Sequence, residues 1–204
     1  MSATEEAYIV RLRITLEDVN PLVVRRIEVP LSIRLDHLNA VIQAAMGWTN
    51  SHLWEFRAGE TGWGIPDKEW GDGPLDASKA KLIDVLEDTG TRRLTYLYDF
   101  GDGWEHTVRV ERPVSPQPGA LYPRLLEAIG RCPPEDIGGA PGYEEFLEAI
   151  ADPAHDRHEE FIACYGQDLD PKIVDTATIE KRLAALAKKI TGKPAKPKRK
   201  TKKP

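Results

Sequence analysis

The chain is predicted to be an α+β protein, and three observations predict it. Residues 7–16 alternate apolar and polar side chains with a period of two, the pattern of a strand with one buried face. Beyond Arg112-Pro113 the period lengthens, and four segments carry helical stripes instead. The 204 residues, 41% hydrophobic and 30% charged, suit a single domain with its own core. Strands gathered first and helices after them point to an antiparallel sheet from the N-terminal half, packed by one early helix and a C-terminal set of helices. No internal repeat interrupts this order.

The first strand sets Tyr8, Val10, Leu12, Ile14 and Leu16 against Ile9, Arg11, Arg13 and Thr15. Asn20-Pro21 turns the chain, and Leu22–Val29 is its antiparallel partner. Leu35, Leu38, Val41, Ile42, Ala45 and Met46 then fall on one helical stripe, with Asp36 available as a cap and Gly47 as the stop. His52–Arg57 is a short third strand. Residues 59–80, rich in Gly, Asp and Pro, are expected to form a long surface loop that Trp63 and Trp70 anchor to the core. Lys81–Glu87 makes about one helical turn before the strand Arg92–Phe100. The helical candidates are Leu121–Ile129, Pro141–Ile150, His155–Tyr165 and Thr178–Ile190.

Charge divides the chain unevenly. Lys188 to Pro204 holds nine Lys or Arg and no acid, so residues 1–187 keep 19 basic against 33 acidic side chains, a charge of −14 beneath a total of −5. A domain over 1–187 and a disordered basic tail over 188–204 are expected. The tail reads either as an arm for nucleic-acid phosphates, giving weak salt-sensitive contact, or as a solubilising segment. Arg25 and Arg26 are exposed candidates for the same contact. No apolar run approaches the roughly 18 residues that span a bilayer, and acids stand where a signal peptide carries basic residues, so a cytoplasmic location and no membrane partner are expected. Cys132 and Cys164 are expected to be free thiols.

The densest chemistry lies in Tyr98–His106, YDFGDGWEH. A two-residue turn at Asp102-Gly103 would set Asp99 across from His106, but it also matches Leu94, Tyr96 and Tyr98 to a polar row. A three-residue connection Gly101-Asp102-Gly103 pairs Phe100 with Trp104, Tyr98 with His106, Tyr96 with Val108 and Leu94 with Val110, which a half-buried sheet requires. In that register Tyr98, Phe100, Trp104 and His106 form an aromatic face, and Asp99 and Glu105 become like-charged neighbours in need of a cation. The DFG triplet is not a kinase motif here, because no HRD-like loop or Gly-rich loop with its lysine accompanies it.

A second acidic segment, Arg131–Tyr143 (RCPPEDIGGAPGY), places Glu135 and Asp136 in a Pro- and Gly-stiffened loop. Asp99, Asp102, Glu105, Glu135 and Asp136 are therefore the candidate binding surface. Cys132, His155, His158 and Cys164 lack the paired spacing of a zinc site, and no nucleophile motif is present. No catalytic residue, metal ligand or cofactor is assigned.

The motifs YDFGDGWEHTVRVE, CPPEDIGGAPGYEEFLEAI, MGWTNSHLWEF and DPKIVD resemble the plasmid pRiA4b ORF-3-like family, parts of which are labelled TnpR-like passenger proteins of insertion elements. The resemblance spans residues 7–187 and leaves the basic tail outside. It implies an α+β fold and no particular chemistry, and it marks Asp99, Gly101, Asp102, Trp104, His106, Cys132, Pro133, Pro134, Glu135, Asp136, Gly138, Gly139 and Gly142. A serine resolvase, which the TnpR label suggests, is not supported: Ser2 lies in the leading segment and Ser32 lacks the strand-to-loop setting and clustered arginines. The expected function is thus a non-enzymatic binding module for an unknown protein or a cation. Tyr98, Phe100, Gly101, Gly103, Trp104, His106, Cys132, Gly138 and Gly139 would hold its structure. The alternatives are a metal-dependent phosphoester hydrolase or nuclease with His106 as base, and an accessory nucleic-acid binder.

Overall fold

The period-two N-terminal segment is a strand, β1 (Ile9–Leu16), and LVVRRIEV supplies its antiparallel neighbour β2 (Val23–Pro30), with Leu12 opposite Ile27 and Ile14 opposite Arg25. The computed structural model describes residues 8–66, 73–166 and 169–190. Helix α1 (Leu35–Met46) follows, and Gly47 stops it in the left-handed conformation, its N–H bonded to the Gln43 carbonyl. The expected cap does not form: Asp36 lies inside the first turn and holds Arg34 and the His37 N–H. Next come β3 (Trp54–Ala58), β4 (Thr61–Gly64), β5 (Leu75–Asp76), α2 (Leu82–Thr89), β6 (Arg93–Tyr98) and β7 (Trp104–Val110). After β8 (Arg124–Ile129) the chain is helical: α3 (Gly139–Ala151), α4 (His158–Tyr165) and α5 (Thr176–Ile190).

The eight strands form one sheet in the order β5-β4-β3-β6-β7-β1-β2-β8, antiparallel except for the β4–β5 pair. Strand registers put Leu12, Ile14, Leu16, Ile27, Val108, Tyr96 and Phe56 on one face, all buried. Helix α1 covers this face. Its Asn39 accepts the Tyr96 hydroxyl hydrogen at 2.6 Å, and its Gln43 donates to the same oxygen at 2.9 Å. Helix α5 packs behind α1 with Ile179, Leu183 and Ala187 buried. The opposite face is polar, with Arg26 clamped by both oxygens of Glu111 at 2.8 Å and Glu28 between Arg11 and Arg124.

Two elements differ from the sequence reading. Leu121–Ile129 is not a helix: its second half is edge strand β8, whose leucines alternate poorly but whose backbone satisfies the otherwise open edge of β2. Residues 59–80 are not all loop either, since Thr61–Gly64 pairs with β3 and Leu75–Asp76 with β4. Trp63 is an anchor as expected, at 6% exposure, whereas Trp70 falls outside the described residues. The tail boundary also moves, because Lys188 and Lys189 belong to the last turn of α5; the rest of the tail lies outside the described residues. Among the described residues, no helix is long and apolar enough to cross a membrane.

Candidate functional site

The β6–β7 turn is two residues longer than the alternation suggested. Tyr98 pairs with Trp104, Tyr96 with His106 and Leu94 with Val108, so residues 99–103 form a five-residue connection. A shift of two leaves every side chain on the face first assigned to it, which is why the hydrophobic pattern did not detect it. It does change the tip. Phe100 leaves the aromatic face and is 53% exposed, and Asp99 is no longer opposite Glu105. Glu105 instead pairs with Leu97 on the polar face, with Glu55 on the far side of Leu97, and takes no part in the acidic surface.

Asp99 organises the turn. It adopts positive φ, its Oδ1 accepts the N–H groups of Gly101 and Asp102, and its carbonyl accepts the Gly103 N–H at 2.6 Å. Gly103 is left-handed as a hairpin of this kind needs. The tip then meets the loop before α3. Asp102 Oδ2 accepts the Gly138 N–H at 3.3 Å, and the Asp102 carbonyl approaches Gly139 so closely that a Cβ there would lie 2.3 Å from it. The two acidic segments are therefore in contact.

Glu135 is spoken for within this contact. Tyr98 donates its hydroxyl hydrogen to Glu135 Oε1 at 2.5 Å, and Thr49 donates both its N–H and its hydroxyl to Oε2. Burial and the adjacent carboxylate push the Tyr98 hydroxyl well above the usual phenol range. What remains open is a triad that the sequence reading did not assemble. The His52 ring points Nδ1 at Asp99 Oδ2 (3.6 Å) and Nε2 at Asp136 Oδ1 (3.1 Å). One ligand atom from each of the three residues fits within 4.8 Å of the others, a spacing that admits a metal ion. The Asp136 side chain is 74% exposed and that of His52 31%, so the triad is reachable. The signal in the sequence was weak: His52 was read as the first residue of the strand His52–Arg57, whereas β3 begins two residues later at Trp54.

Behind the triad stands an aromatic wall. Trp48 stacks on Tyr98 at 5.0 Å between centroids, meets Trp104 at 5.8 Å and turns its face or edge to His106 at 5.5 Å. His106 has no exposed surface. Its Nδ1 faces the carbonyls of Tyr96 and Trp104, at 3.1 and 3.0 Å, and carbonyls only accept, so Nδ1 carries the proton. Among the described residues Nε2 has no partner, and burial lowers the ring's pKa to about 4. A general base cannot work from this position, which removes His106 from the hydrolase reading just as the register removes Glu105. The Cys132, His155, His158 and Cys164 side chains do not converge as metal ligands among the described residues. The Cys132 thiol is driven up by burial, and His158 Nδ1 bonds the Ala149 carbonyl.

Arg25 also departs from expectation. Far from being an exposed contact for DNA, it is 1% exposed on the apolar face of the sheet. Its guanidinium bonds backbone carbonyls of β2, α1 and the end of β8. The period-two phase of LVVRRIEV sets Arg25 with Val23, Ile27 and Val29, a signal that the expectation of an exposed arginine passed over.

Comparison with known proteins agrees with this architecture. A protein of Sinorhizobium fredii (strain NBRC 101917 / NGR234), described as uncharacterized protein y4hQ, is 53% identical over 184 residues, covering 90% of this chain and 94% of that one. A crystal structure of a protein of unknown function, MM3350 from Methanosarcina mazei Go1, matches with a TM-score of 0.76 and 33% identity, over 86% of this chain and 97% of that chain. The profile of the plasmid pRiA4b ORF-3-like protein family matches residues 8–178, which span every strand, helices α1 to α4 and both acidic segments. With a match of that extent, the chain belongs to the plasmid pRiA4b ORF-3-like protein family.

Proposed function

We propose that the chain is a non-enzymatic binding module that captures a cation at the junction of the β6–β7 turn and the loop before α3. The observation that supports this is the His52 ring set between Asp99 and Asp136, carboxylates from two segments far apart in sequence. Other acids nearby already have work: Glu135 holds Tyr98 and Thr49, and Asp102 holds Gly138. The triad combines one imidazole nitrogen with two carboxylate oxygens, a donor set that suits borderline dications such as zinc or manganese. The plasmid setting belongs to the same proposal and rests on the family's description alone.

Titration calorimetry of zinc and manganese into the full chain tests the reading. One saturable site is expected, weakened at least about tenfold by His52→Ala and by Asp136→Asn, since each removes one of three ligands. Unchanged affinity in both variants would sink it. A second reading has its own support: Leu53 and Phe100, 57% and 53% exposed, flank the triad. Apolar side chains around carboxylates fit a basic segment of a protein partner. A synthetic peptide of alternating lysine and leucine should then bind the wild type and lose affinity in a Leu53→Ser, Phe100→Ser double variant that still takes up metal. The contact of residues 188–204 with nucleic acid stays a separate proposal, to be checked by whether binding collapses as salt rises.

A further inference from the structure

Arg25 is a permanent cation buried without an anion beside it. Nε donates to the Ala45 carbonyl at 2.8 Å, and Nη1 is shared among the carbonyls of Val24, Ile129 and Gly130 at 2.9, 2.8 and 2.9 Å. Nη2 makes none of these bonds. Carbonyl dipoles satisfy hydrogens but do not neutralise a charge, and among the described residues no carboxylate pairs with this guanidinium. A buried charge in that condition is costly unless an opposite charge approaches it.

An approach exists. Arg25 lines a cavity of about 520 Å³ between the C-terminal end of α1, the Arg131–Glu135 segment and the first turns of α5. That volume lies within the range of small-molecule sites, roughly 300 to 1,000 Å³. Two further guanidiniums, Arg131 and Arg182, line it as well. Arg182 reaches only the Trp48 carbonyl, at a long 3.4 Å, and Arg131 makes no side-chain hydrogen bond among the described residues. Two carboxylates line the cavity among the described residues, and both are hydrogen-bonded to neutral groups. Asp175 caps α5 by accepting the Thr178 N–H and hydroxyl at 2.9 and 2.6 Å, and Glu135 holds Tyr98 and Thr49. Among the described residues the lining thus sets three cations against two carboxylates, of which Asp175 acts on Arg131, so it keeps a net positive charge around Arg25, and Trp48, Leu169, Ile173, Val174 and Ile179 give it an apolar wall.

We infer that this cavity is a binding site for a small organic anion, a carboxylate on a short apolar body, with its charge against Arg25 and its body against the Trp48 and Ile173 side. The apolar wall disfavours a bare inorganic anion, which would leave that surface facing water. Arg131 and Arg182 draw the ligand in and hold the outer part of the carboxylate. This site is separate from the cation triad, which lies across Glu135 from it.

Calorimetry at low salt on the full chain decides the matter. Hexanoate and phenylacetate are the probes, hexanamide and phenylacetamide their uncharged matches, and inorganic phosphate the anion without an apolar body. Each acid should saturate one site in the millimolar range or below, and each amide should bind at least about tenfold more weakly. Arg25→Met should abolish acid binding. Should that variant fail to fold, the surface pair Arg131→Gln with Arg182→Gln carries the test, and it should weaken both acids severalfold with the thermal midpoint unchanged. Amides binding as well as acids, phosphate binding more tightly than either acid, no saturable heat with either acid, or acid affinity unmoved in the double variant each overturns the proposal.

Discussion

Acidification should strip about 3 kcal/mol of stability from the protein through His106 alone, between the ring's ordinary pKa of 6.5 and its folded value of about 4. The sign follows from which state binds the proton. The folded pKa is depressed, so between those two values the unfolded chain is protonated at this ring and the folded chain is not. Stability is therefore fully present above 6.5, is lost as the pH falls toward 4, and changes no further through this residue below that. The cause is structural. Nδ1–H is held by two carbonyls, Nε2 has no acceptor to receive a second proton's bond, and Trp48, Tyr96 and Trp104 exclude water from the ring.

His106→Gln separates this effect from the general acid sensitivity of the carboxylates. The variant lacks the titrating ring, so urea unfolding should show it less stable than wild type at neutral pH. That gap should narrow by about 3 kcal/mol near pH 4. A gap that stays constant with pH would mean that the ring titrates normally and that water reaches it in the folded state.

His106 also shows what was legible in the sequence. Alternation alone assigned it to the core face with Tyr96, Tyr98 and Trp104, while the hydrolase alternative still used it as a base. The same alternation is blind to shifts of two, so the length of the turn and the fate of Phe100 were out of its reach. Arg25 was legible but unread: its phase in β2 is that of Val23 and Ile27, and an arginine in an apolar phase signals a buried cation as readily as an exposed one. Leu121–Ile129 was misread because its composition favours a helix, while the open edge of β2 demands a strand, and the edge prevailed. His52 could not be assigned to Asp99 and Asp136 at all. Their meeting depends on where the loop before α3 docks, a tertiary fact that no local pattern encodes.

That docking turns on Gly139, and Gly139→Ala should cost more than about 3 kcal/mol, at the severe end for a single substitution. Two penalties combine there. Gly139 has φ of +70°, which a side chain disfavours by roughly 1 to 2 kcal/mol, and its new Cβ would lie 2.3 Å from the Asp102 carbonyl oxygen, a backbone atom that cannot rotate away. Gly103 supplies the control. It sits in the β6–β7 hairpin that Gly139 meets, at φ +69° with nothing within 4 Å of an added Cβ, so Gly103→Ala should show the conformational penalty without the clash. Chemical denaturation of the two variants measures the difference, and equal destabilisation would mean that close approach is not what seats the tip. The comparison reaches function too. If the tip must touch the loop to bring Asp99 and Asp136 to His52, metal binding should fail in Gly139→Ala even where the chain stays folded, and persist in Gly103→Ala. Metal binding retained in a folded Gly139→Ala protein would show that the triad assembles without this contact, and the cation site would then owe its geometry to His52 and the strand that follows it.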